Sequence, residues 1–252
     1  MINAYEKIVI KTENKLQKKN KRFNNKFISH HIFDKNTMVA LHHLLNSKII
    51  LYVNGLVKSG KESMLFWAID KNGNDIALKI YSTTNSIFKK RNLYIPNKKQ
   101  LPKFSNKHTI EMWAKHEFQN LKQCIKFQIP VTKPICVFKN ILVMDFVGNN
   151  GIPNKTLAES HILQSDYDCF MIILHKLYKS AKLVHGDLSG FNIFKINNGL
   201  LFFDLSSSLH ITHPNADMLL KRDIYNMSIF FKNKGLVVQN PIDIYNSIKH
   251  DV

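Results

Sequence analysis

A short stretch near residue 190 restricts the possible folds of this chain more than any other part of its sequence. The run HGDLSGFN at 185–192 places the carboxylate of Asp187 and the carboxamide of Asn192 on one tight loop. The apolar residues 200–203 follow as a predicted buried strand that ends in the carboxylate of Asp204. Taken singly, these residues also fit a turn and the cap of a strand. In this order they indicate a phosphoryl-transfer site, in which Asp187 orients the acceptor while Asn192 and Asp204 bind Mg2+.

Two charged residues upstream fit the same chemistry. Lys79 lies in residues 75–81, which alternate like a half-buried strand, and a lysine there could reach the α- and β-phosphates of a nucleotide. A helix is predicted from about 108 to 127, and its apolar face carries Ile110, Trp113, Glu117 and Leu121. Because an inward carboxylate is costly unless it is paired, we expect Glu117 to form an ion pair with Lys79. The alternatives are a solvated lysine and a glutamate at the rim of the core.

Residues 55–61 (GLVKSGK) match the first part of a Walker A phosphate loop, but the match fails at its end. Glu62 stands where that loop needs Ser or Thr to bind Mg2+, and a helix should follow. Residues 64–69 instead read as a strand, followed by a hairpin turn. We therefore predict that residues 49–53 and 64–69 form antiparallel strands whose connection covers the phosphates of a nucleotide.

The order of these elements predicts one α+β domain with two lobes, a small version of the protein-kinase fold. The small lobe, residues 31–144, should hold an antiparallel sheet and a bracing helix at 37–46 with Asp34 as its N-cap. The mainly helical large lobe, residues 145–252, should begin at a hinge whose backbone from Asp145 to Val147 faces adenine. Too few residues follow Asp204 for an activation loop and peptide-docking subdomains.

Together these stretches resemble the RIO-type atypical serine/threonine protein kinases, from about residue 32 to residue 231. The resemblance is carried by residues 34–50, 59–62, 77–81, 113–121, 185–189 and 213–223. Three features favour the first, type 1 branch of the family. They are the residue sequence of the HGDLS loop, the DLS at 204–206 and the lack of a winged-helix-sized segment before Asp34.

The resemblance implies ATP and Mg2+ as cofactors, with Mn2+ as an alternative metal, and Asp187 as the catalytic aspartate. It places Asn192 and Asp204 on the metal, and Asp204 can itself be phosphorylated in this family. The implied nucleotide-binding residues are Ser59, Gly60, Lys61, Glu62, Lys79, Met144, Asp145 and Val147. The implied role is a protein kinase or ATPase in maturation of the small ribosomal subunit.

The sequence departs from the family pattern in the phosphate loop, the hinge and the catalytic loop. These departures are Lys58-Ser59, Ser63-Met64, Asp145, Gly190 and Phe191. None of them removes a catalytic group, but they affect the phosphate contacts and the nucleotide affinity.

The net charge of the chain indicates a binding partner. The chain has 36 Lys and Arg residues against 18 Asp and Glu residues, a formal charge of +18, which favours a polyanionic partner. A basic arm at residues 1–30, predicted to be disordered, and a flexible loop at 82–107 hold much of this charge. We expect pre-ribosomal small subunits and their rRNA to bind through residues 7–26 and 89–107. The alternative is that an AT-rich genome inflates lysine and these runs are ordinary solvated faces.

The remaining features exclude some classes of protein. Three cysteines without a close pair indicate a reducing compartment, and no His or Cys spacing predicts a zinc site. No apolar run is long enough to span a membrane, and the polar N-terminus lacks a signal-peptide core, so we expect a cytoplasmic protein, with nuclear shuttling if the source is eukaryotic. We also expect a monomer without a membrane partner. Two rival functions stay open: a non-enzymatic assembly factor latched by nucleotide, and an aminoglycoside- or choline-type kinase, which would need an acidic acceptor pocket.

Overall fold

The computed structural model describes residues 34–82, 106–197 and 199–250. The basic arm at residues 1–30 and most of the loop at 82–107 lie outside the described residues. The RNA-binding segments expected at 7–26 and 89–107 therefore stay predictions.

The small lobe is a five-stranded antiparallel sheet with one helix before it and one inserted into it. Helix α1 (Lys35–Asn46) precedes the sheet, and helix α2 (Asn106–Lys126) lies between its third and fourth strands. The strands are β1 (Tyr52–Ser59), β2 (Ser63–Ile69), β3 (Asp75–Tyr81), β4 (Pro134–Phe138) and β5 (Ile141–Asp145), in the order β1-β2-β3-β5-β4. Asp34 caps α1 as predicted, because its Oδ1 accepts a hydrogen bond from the Thr37 N–H at 2.8 Å.

Strand β3 is buried more completely than its alternating sequence predicts. Every residue from Ile76 to Tyr81 is buried, including Lys79, so the prediction of a half-buried strand was wrong. The reason is its central position between β2 and β5. Ile76, Leu78 and Ile80 pack into a cluster with α1, whereas Tyr81 packs with the inner face of α2.

Strand β1 takes in most of the sequence that resembles a phosphate loop. It begins at Tyr52 and continues to Ser59, beyond the predicted end at residue 53, with two irregularities of register against β2. The connection to β2 is only Gly60 to Glu62, and Gly60 N–H donates to Ser63 O at 2.9 Å. As predicted, a strand follows this loop and not a helix, so the loop is not a Walker A motif.

The large lobe is built on three helices and three two-stranded ribbons. The helices are α3 (Gln164–Lys179), α4 (Ala216–Asn233) and α5 (Pro241–His250). The ribbons pair β6 (Gly148–Asn149) with β7 (Ile152–Pro153), β8 (Leu183–Val184) with β11 (Leu209–His210), and β9 (Ile193–Ile196) with β10 (Gly199–Phe202). The apolar face of α4 is buried, as its periodicity predicts.

The segment after Asp204 is short. Its regular elements are a 3-10 turn at Leu205–Ser207 and the two residues of β11, and α4 begins at Ala216. The small bilobal α+β fold without an activation loop is therefore confirmed. In the described ranges, no helix is both long and apolar enough to cross a membrane.

Helix α2 is fixed to the segment that follows Asp204. Asn120 Nδ2 donates to the carbonyl oxygens of Leu205 at 3.0 Å and Ser208 at 3.2 Å, and His116 Nε2 donates to Ser208 O at 2.8 Å. These contacts hold the helix that carries Glu117 against the strand end that carries Asp204.

Candidate active site

A cavity of about 430 Å3 lies between the sheet and the large lobe. It is lined by most of the residues that the sequence assigned to nucleotide and metal: Gly60, Lys61, Glu62, Lys79, Glu117, Met144, Asp145, Val147, Asn192 and Asp204. Ser59 and Asp187 are not in this lining. Ser59 is exposed at the end of β1, and Asp187 is exposed on the loop next to Asn192.

Lys79 is the centre of charge in the cavity. Its Nζ lies 2.9 Å from both carboxylate oxygens of Glu117 and 2.8 Å from Asp204 Oδ1. Burial alone would lower the pKa of Lys79, but the carboxylates of Asp204 and Glu117 raise it above its ordinary value. Lys79 therefore stays protonated and points into the cavity.

Glu117 faces inward from α2, with only 1% of its side chain exposed. Its Oε2 also accepts a hydrogen bond from the Tyr81 hydroxyl on β3. Burial raises the pKa of Glu117, and the Lys79 cation opposes that rise. The Tyr81 hydroxyl thus supports the ion pair between Glu117 and Lys79. The sequence did not predict this role of Tyr81.

Asp204 lies two residues after β10 and has an unusual backbone conformation. Its φ of 59° and ψ of 60° lie in the left-handed region, which aspartate tolerates better than most residues. Oδ1 accepts hydrogen bonds from Lys79 and from Ser206 Oγ at 2.7 Å, and no described residue donates to Oδ2. Burial would raise the pKa of Asp204, but the Lys79 cation and these hydrogen bonds hold it well below its ordinary value. The carboxylate is ionised and has one oxygen available for a ligand.

The loop that carries Asp187 is held from below by α4. Asp223 accepts hydrogen bonds from the N–H groups of Gly186 at 2.7 Å and Leu188 at 3.2 Å. Burial raises the pKa of Asp223 to about 6, against these hydrogen bonds. At the other end of the loop, Asn192 Nδ2 donates to the backbone oxygen of Asp187 at 2.7 Å, which directs the amide oxygen of Asn192 away from that contact. The loop therefore keeps its shape through backbone hydrogen bonds and leaves the Asp187 side chain exposed.

His185 is a buried residue that supports the backbone of the site. It is 1% exposed, and its Nε2 donates to Phe203 O at 3.1 Å. Burial lowers its pKa to about 4, so the ring is neutral at pH 7. Its backbone oxygen accepts from Ser208 Oγ at 2.9 Å, which ties the catalytic loop to the segment after Asp204.

The connection between the lobes is anchored to the sheet. Asp75 accepts hydrogen bonds from Trp67 Nε1 at 2.7 Å and from the Asn150 N–H at 3.0 Å, so the β6–β7 hairpin is tied to β2 and β3. Gly151 lies against the Trp67 ring with a φ of 79°, and a Cβ added there would lie 2.4 Å from Trp67 Cε3. The hairpin thus closes one side of the cavity, where Val147 and Pro153 line it.

Three backbone groups of the predicted adenine edge already make hydrogen bonds. The Asp145 N–H donates to Lys133 O at 2.9 Å, the Phe146 N–H donates to Asp75 O at 3.4 Å, and Val147 O accepts from the Asn154 N–H at 2.9 Å. The Asp145 carbonyl and the Val147 N–H are not among these bonded groups, so they are the hinge groups that we assign to a base. Thr132 also lines the cavity, and its buried hydroxyl has no hydrogen-bond partner among the described residues.

These donors fit a nucleotide with a hard divalent cation. Mg2+ usually takes one or two protein oxygens and completes its shell with phosphate and water, which matches Asn192 and Asp204. Lys58, Lys61 and Lys79 bring positive charge to the same cavity. In the described ranges, no group of three or more His, Cys, Asp or Glu residues is arranged to hold a metal ion on its own.

Several supporting residues were not assigned a role from the sequence. Tyr81, Asp223 and Asn120 lie inside the stretches that carry the family resemblance, but position along the chain does not reveal which distant group a side chain contacts. Ser206 lies two residues after Asp204, and that spacing was the available signal for a contact. Thr132 gave no signal.

Similarity to known proteins shows the family of this chain. A family model described as the RIO domain matches residues 64–243. The RIO-type serine/threonine-protein kinase Rio1 of Methanocaldococcus jannaschii is 35% identical over 250 residues, which cover 97% of this chain and 82% of that protein. Serine/threonine-protein kinase RIO3 of Caenorhabditis elegans is 33% identical over 234 residues, which cover 89% of this chain and 45% of that protein. The chain thus spans less than half the length of some curated relatives that it matches, and these relatives carry both the Rio1 and the RIO3 names.

Among solved structures, the Rio2 kinase of Chaetomium thermophilum in an ADP/Mg2+-phosphoaspartate complex matches with a TM-score of 0.67. The match covers 85% of this chain and 65% of the Rio2 chain at 22% sequence identity, so it supports the fold. The family model and the archaeal relative establish family membership and not the fold alone, because their matches extend over most of the chain. These matches include the loop of Asp187 and the residues around Asp204. The chain therefore belongs to the RIO domain family, whose curated relatives are named serine/threonine-protein kinases.

Proposed function

We propose that this chain is an Mg-ATP-dependent atypical serine/threonine protein kinase and ATPase that acts in maturation of the small ribosomal subunit. The observation that carries the proposal is the position of the Lys79 ammonium, within 2.9 Å of Glu117 and 2.8 Å of Asp204 at the wall of one cavity. A lysine that is buried, charged and oriented by a carboxylate is what phosphate binding in a kinase requires.

Different residues around the cavity bind the base, the phosphates and the metal ion of Mg-ATP. The Asp145 carbonyl and the Val147 N–H face the base, with Met144 and Ala77 as apolar walls. Lys79 and Lys61, with the backbone of Gly60 to Glu62, hold the phosphates. Asn192 and Asp204 hold Mg2+ or Mn2+. Bound ATP and its metal supply the phosphoryl group and neutralise its developing charge.

Asp187 orients the acceptor from the rim of the cavity, and the loop contacts of Asp223 keep it there. The acceptor is a protein hydroxyl, water, or Asp204 itself. Support for Asp204 comes from its ionised state and from Oδ2, to which no described residue donates. The Rio2 kinase of Chaetomium thermophilum is described as a phosphoaspartate complex. In this proposal Asp204 Oδ2 would take the γ-phosphoryl group of ATP as the bond from that phosphorus to the β,γ-bridging oxygen breaks and ADP leaves, while Oδ1 keeps its contact with Ser206.

The ribosomal part of the proposal rests on charge and on the family. The formal charge of +18 suits an RNA-rich partner. We propose that this partner binds through residues 7–26 and 89–107 and that the protein acts in the cytoplasm. The lysines that line the cavity do not suit a cationic small-molecule acceptor, which disfavours an aminoglycoside- or choline-type kinase. A nucleotide-latched assembly factor would use the same binding residues, so turnover distinguishes it.

The test is ATP turnover by the wild type and by Asp187→Ala, each with and without purified small-subunit precursors. Loss of one well-placed catalytic group should reduce turnover by about 100- to 1000-fold. Asp168→Ala is a matched control, since Asp168 is exposed on α3 and lies outside the cavity lining. Turnover that rises with subunits and disappears only in Asp187→Ala supports the proposal. Subunit binding without turnover in any variant would make the chain a nucleotide latch.

A further inference from the structure

Two acid-free segments of the chain meet at the ends of α2 and α3. Residues 118–144 contain no Asp or Glu, and neither do residues 169–186. The first segment includes the C-terminal part of α2, and the second includes most of α3 and strand β8. In a chain with 18 acidic residues, the lysines of these two segments are thus accompanied by no acidic residue from the segments themselves.

Hydrogen bonds show that the two segments form one continuous surface. Lys176 Nζ on α3 donates to Gln128 O, just beyond the end of α2, at 3.0 Å. Gln123 Nε2 on α2 donates to Ala181 O, just beyond the end of α3, at 3.3 Å. These contacts gather the lysines next to them into one α2–α3 basic surface, which consists of Lys122, Lys126, Lys176, Lys179 and Lys182.

Local helix chemistry accounts for only part of this charge. Lysines in the last turn of a helix interact favourably with its carbonyl end, which accounts for Lys126, Lys176 and Lys179. Lys122 lies a turn earlier, and Lys182 lies beyond the end of α3. These two add charge where neither helix end needs it.

The side chains also indicate which part of a ligand they would contact. Lys122 Nζ lies 5.6 Å from the Phe118 ring centroid, and Lys126 Nζ lies 5.6 Å from the Phe127 ring centroid. Both rings are half-buried and pack against the hydrophobic core, and each has a lysine ammonium over it. The groups that this surface offers to a ligand are therefore mainly ammonium groups, which is the chemistry of phosphate contacts without sequence readout.

We infer that the α2–α3 basic surface binds the phosphate backbone of RNA. It lies on the outer side of the helix whose inner side carries Glu117, away from the cavity. The inference extends the proposed association with a ribosomal precursor and rests on it for biological context. RNA binding is measured without nucleotide, however, so failure of either proposal can be recognised separately.

The test compares two triple variants of the full chain for binding to a fluorescent single-stranded RNA at several salt concentrations. One variant is Lys122→Gln/Lys126→Gln/Lys182→Gln. The control is Lys35→Gln/Lys48→Gln/Lys71→Gln, which removes the same charge from exposed positions of the small lobe. Each lost phosphate contact lowers the slope of log affinity against log salt by about 0.7, so the first variant should lose about 2 and the control close to none.

Equal losses in the two variants would show that net charge alone controls binding, and this would overturn the inference. An unchanged slope in the first variant would also overturn it and would leave binding to other segments. Binding of polyglutamate is measured in the same way, because polyglutamate represents the alternative partner, an acidic protein. If polyglutamate binds as tightly as RNA and loses the same affinity in the first variant, the surface is a site for acidic protein and not for RNA.

Discussion

Replacement of Glu117 by glutamine removes one of the two carboxylates that hold the buried Lys79 ammonium. Glutamine keeps the size of the side chain and can still accept a hydrogen bond, so the packing of α2 against β3 should be preserved. Lys79 would keep its contact with Asp204 at 2.8 Å. The change therefore isolates the charge of Glu117.

The expected loss of stability follows from these contacts. Breaking a buried ion pair completely costs about 3 to 5 kcal/mol, but Lys79 keeps a second partner here. Exchanging a charge-assisted hydrogen bond for a neutral one costs about 1 to 2 kcal/mol. We therefore expect a loss of about 2 kcal/mol, which for a chain of this size lowers Tm by about 4 to 8 °C.

The assay is thermal unfolding of the nucleotide-free protein, followed by ATP turnover of the same samples below the transition. Tyr81→Phe is the matched control, because it removes the hydroxyl that contacts Glu117 and leaves both charges in place. We expect this control to cost about 1 kcal/mol and to retain turnover. If Tyr81→Phe lowers Tm as much as Glu117→Gln, or if Glu117→Gln leaves Tm unchanged, the charge of Glu117 does not hold Lys79.

Two further predictions concern pH and the β6–β7 hairpin. Because burial holds the pKa of His185 at about 4, against 6.5 when unfolded, stability should be full above about pH 6.5 and fall by about 3 kcal/mol towards pH 4. His185→Gln should lose this part of the pH dependence in urea unfolding, and an identical slope would contradict the role of burial. Gly151→Ala should destabilise the chain by more than about 1 kcal/mol, because its φ is 79° and its Cβ would meet Trp67. Gly73→Ala has a similar φ of 86° in open space, so equal losses of Tm in both variants would exclude the contribution of Trp67.

The sequence was sufficient for features that depend on local pattern and order. The cap of α1 at Asp34, the bounds of β3 and α5 and the inward face of α2 all follow from periodicity and from residue types with strong local preferences. The bilobal fold followed from the order of the elements. The loop of Asp187 and the strand end at Asp204 were recognisable because each is a compact motif.

Other features depend on which distant segments meet, and no local pattern encodes this. The full burial of β3 arises because two strands and α2 cover it, although its residues alternate. The extension of β1 through the glycine run arises because β2 offers a partner along its length. Likewise, the contact of Asp223 with Gly186 joins residues far apart in sequence, and a search for catalytic motifs does not reveal a residue that acts only on backbone groups.

The fixation of α2 to the segment after Asp204 determines how the two lobes can separate. Glu117 and Asp204 belong to one unit, because His116 and Asn120 tie the helix to the backbone at residues 205–208. Lys79 reaches this unit from the sheet. Movement of the sheet away from this unit would break both ionic contacts of Lys79, the hydrogen bond from Tyr81 to Glu117 and the packing of Tyr81 against α2. Because these contacts would be lost together, the cavity should open cooperatively between two positions rather than by gradual widening.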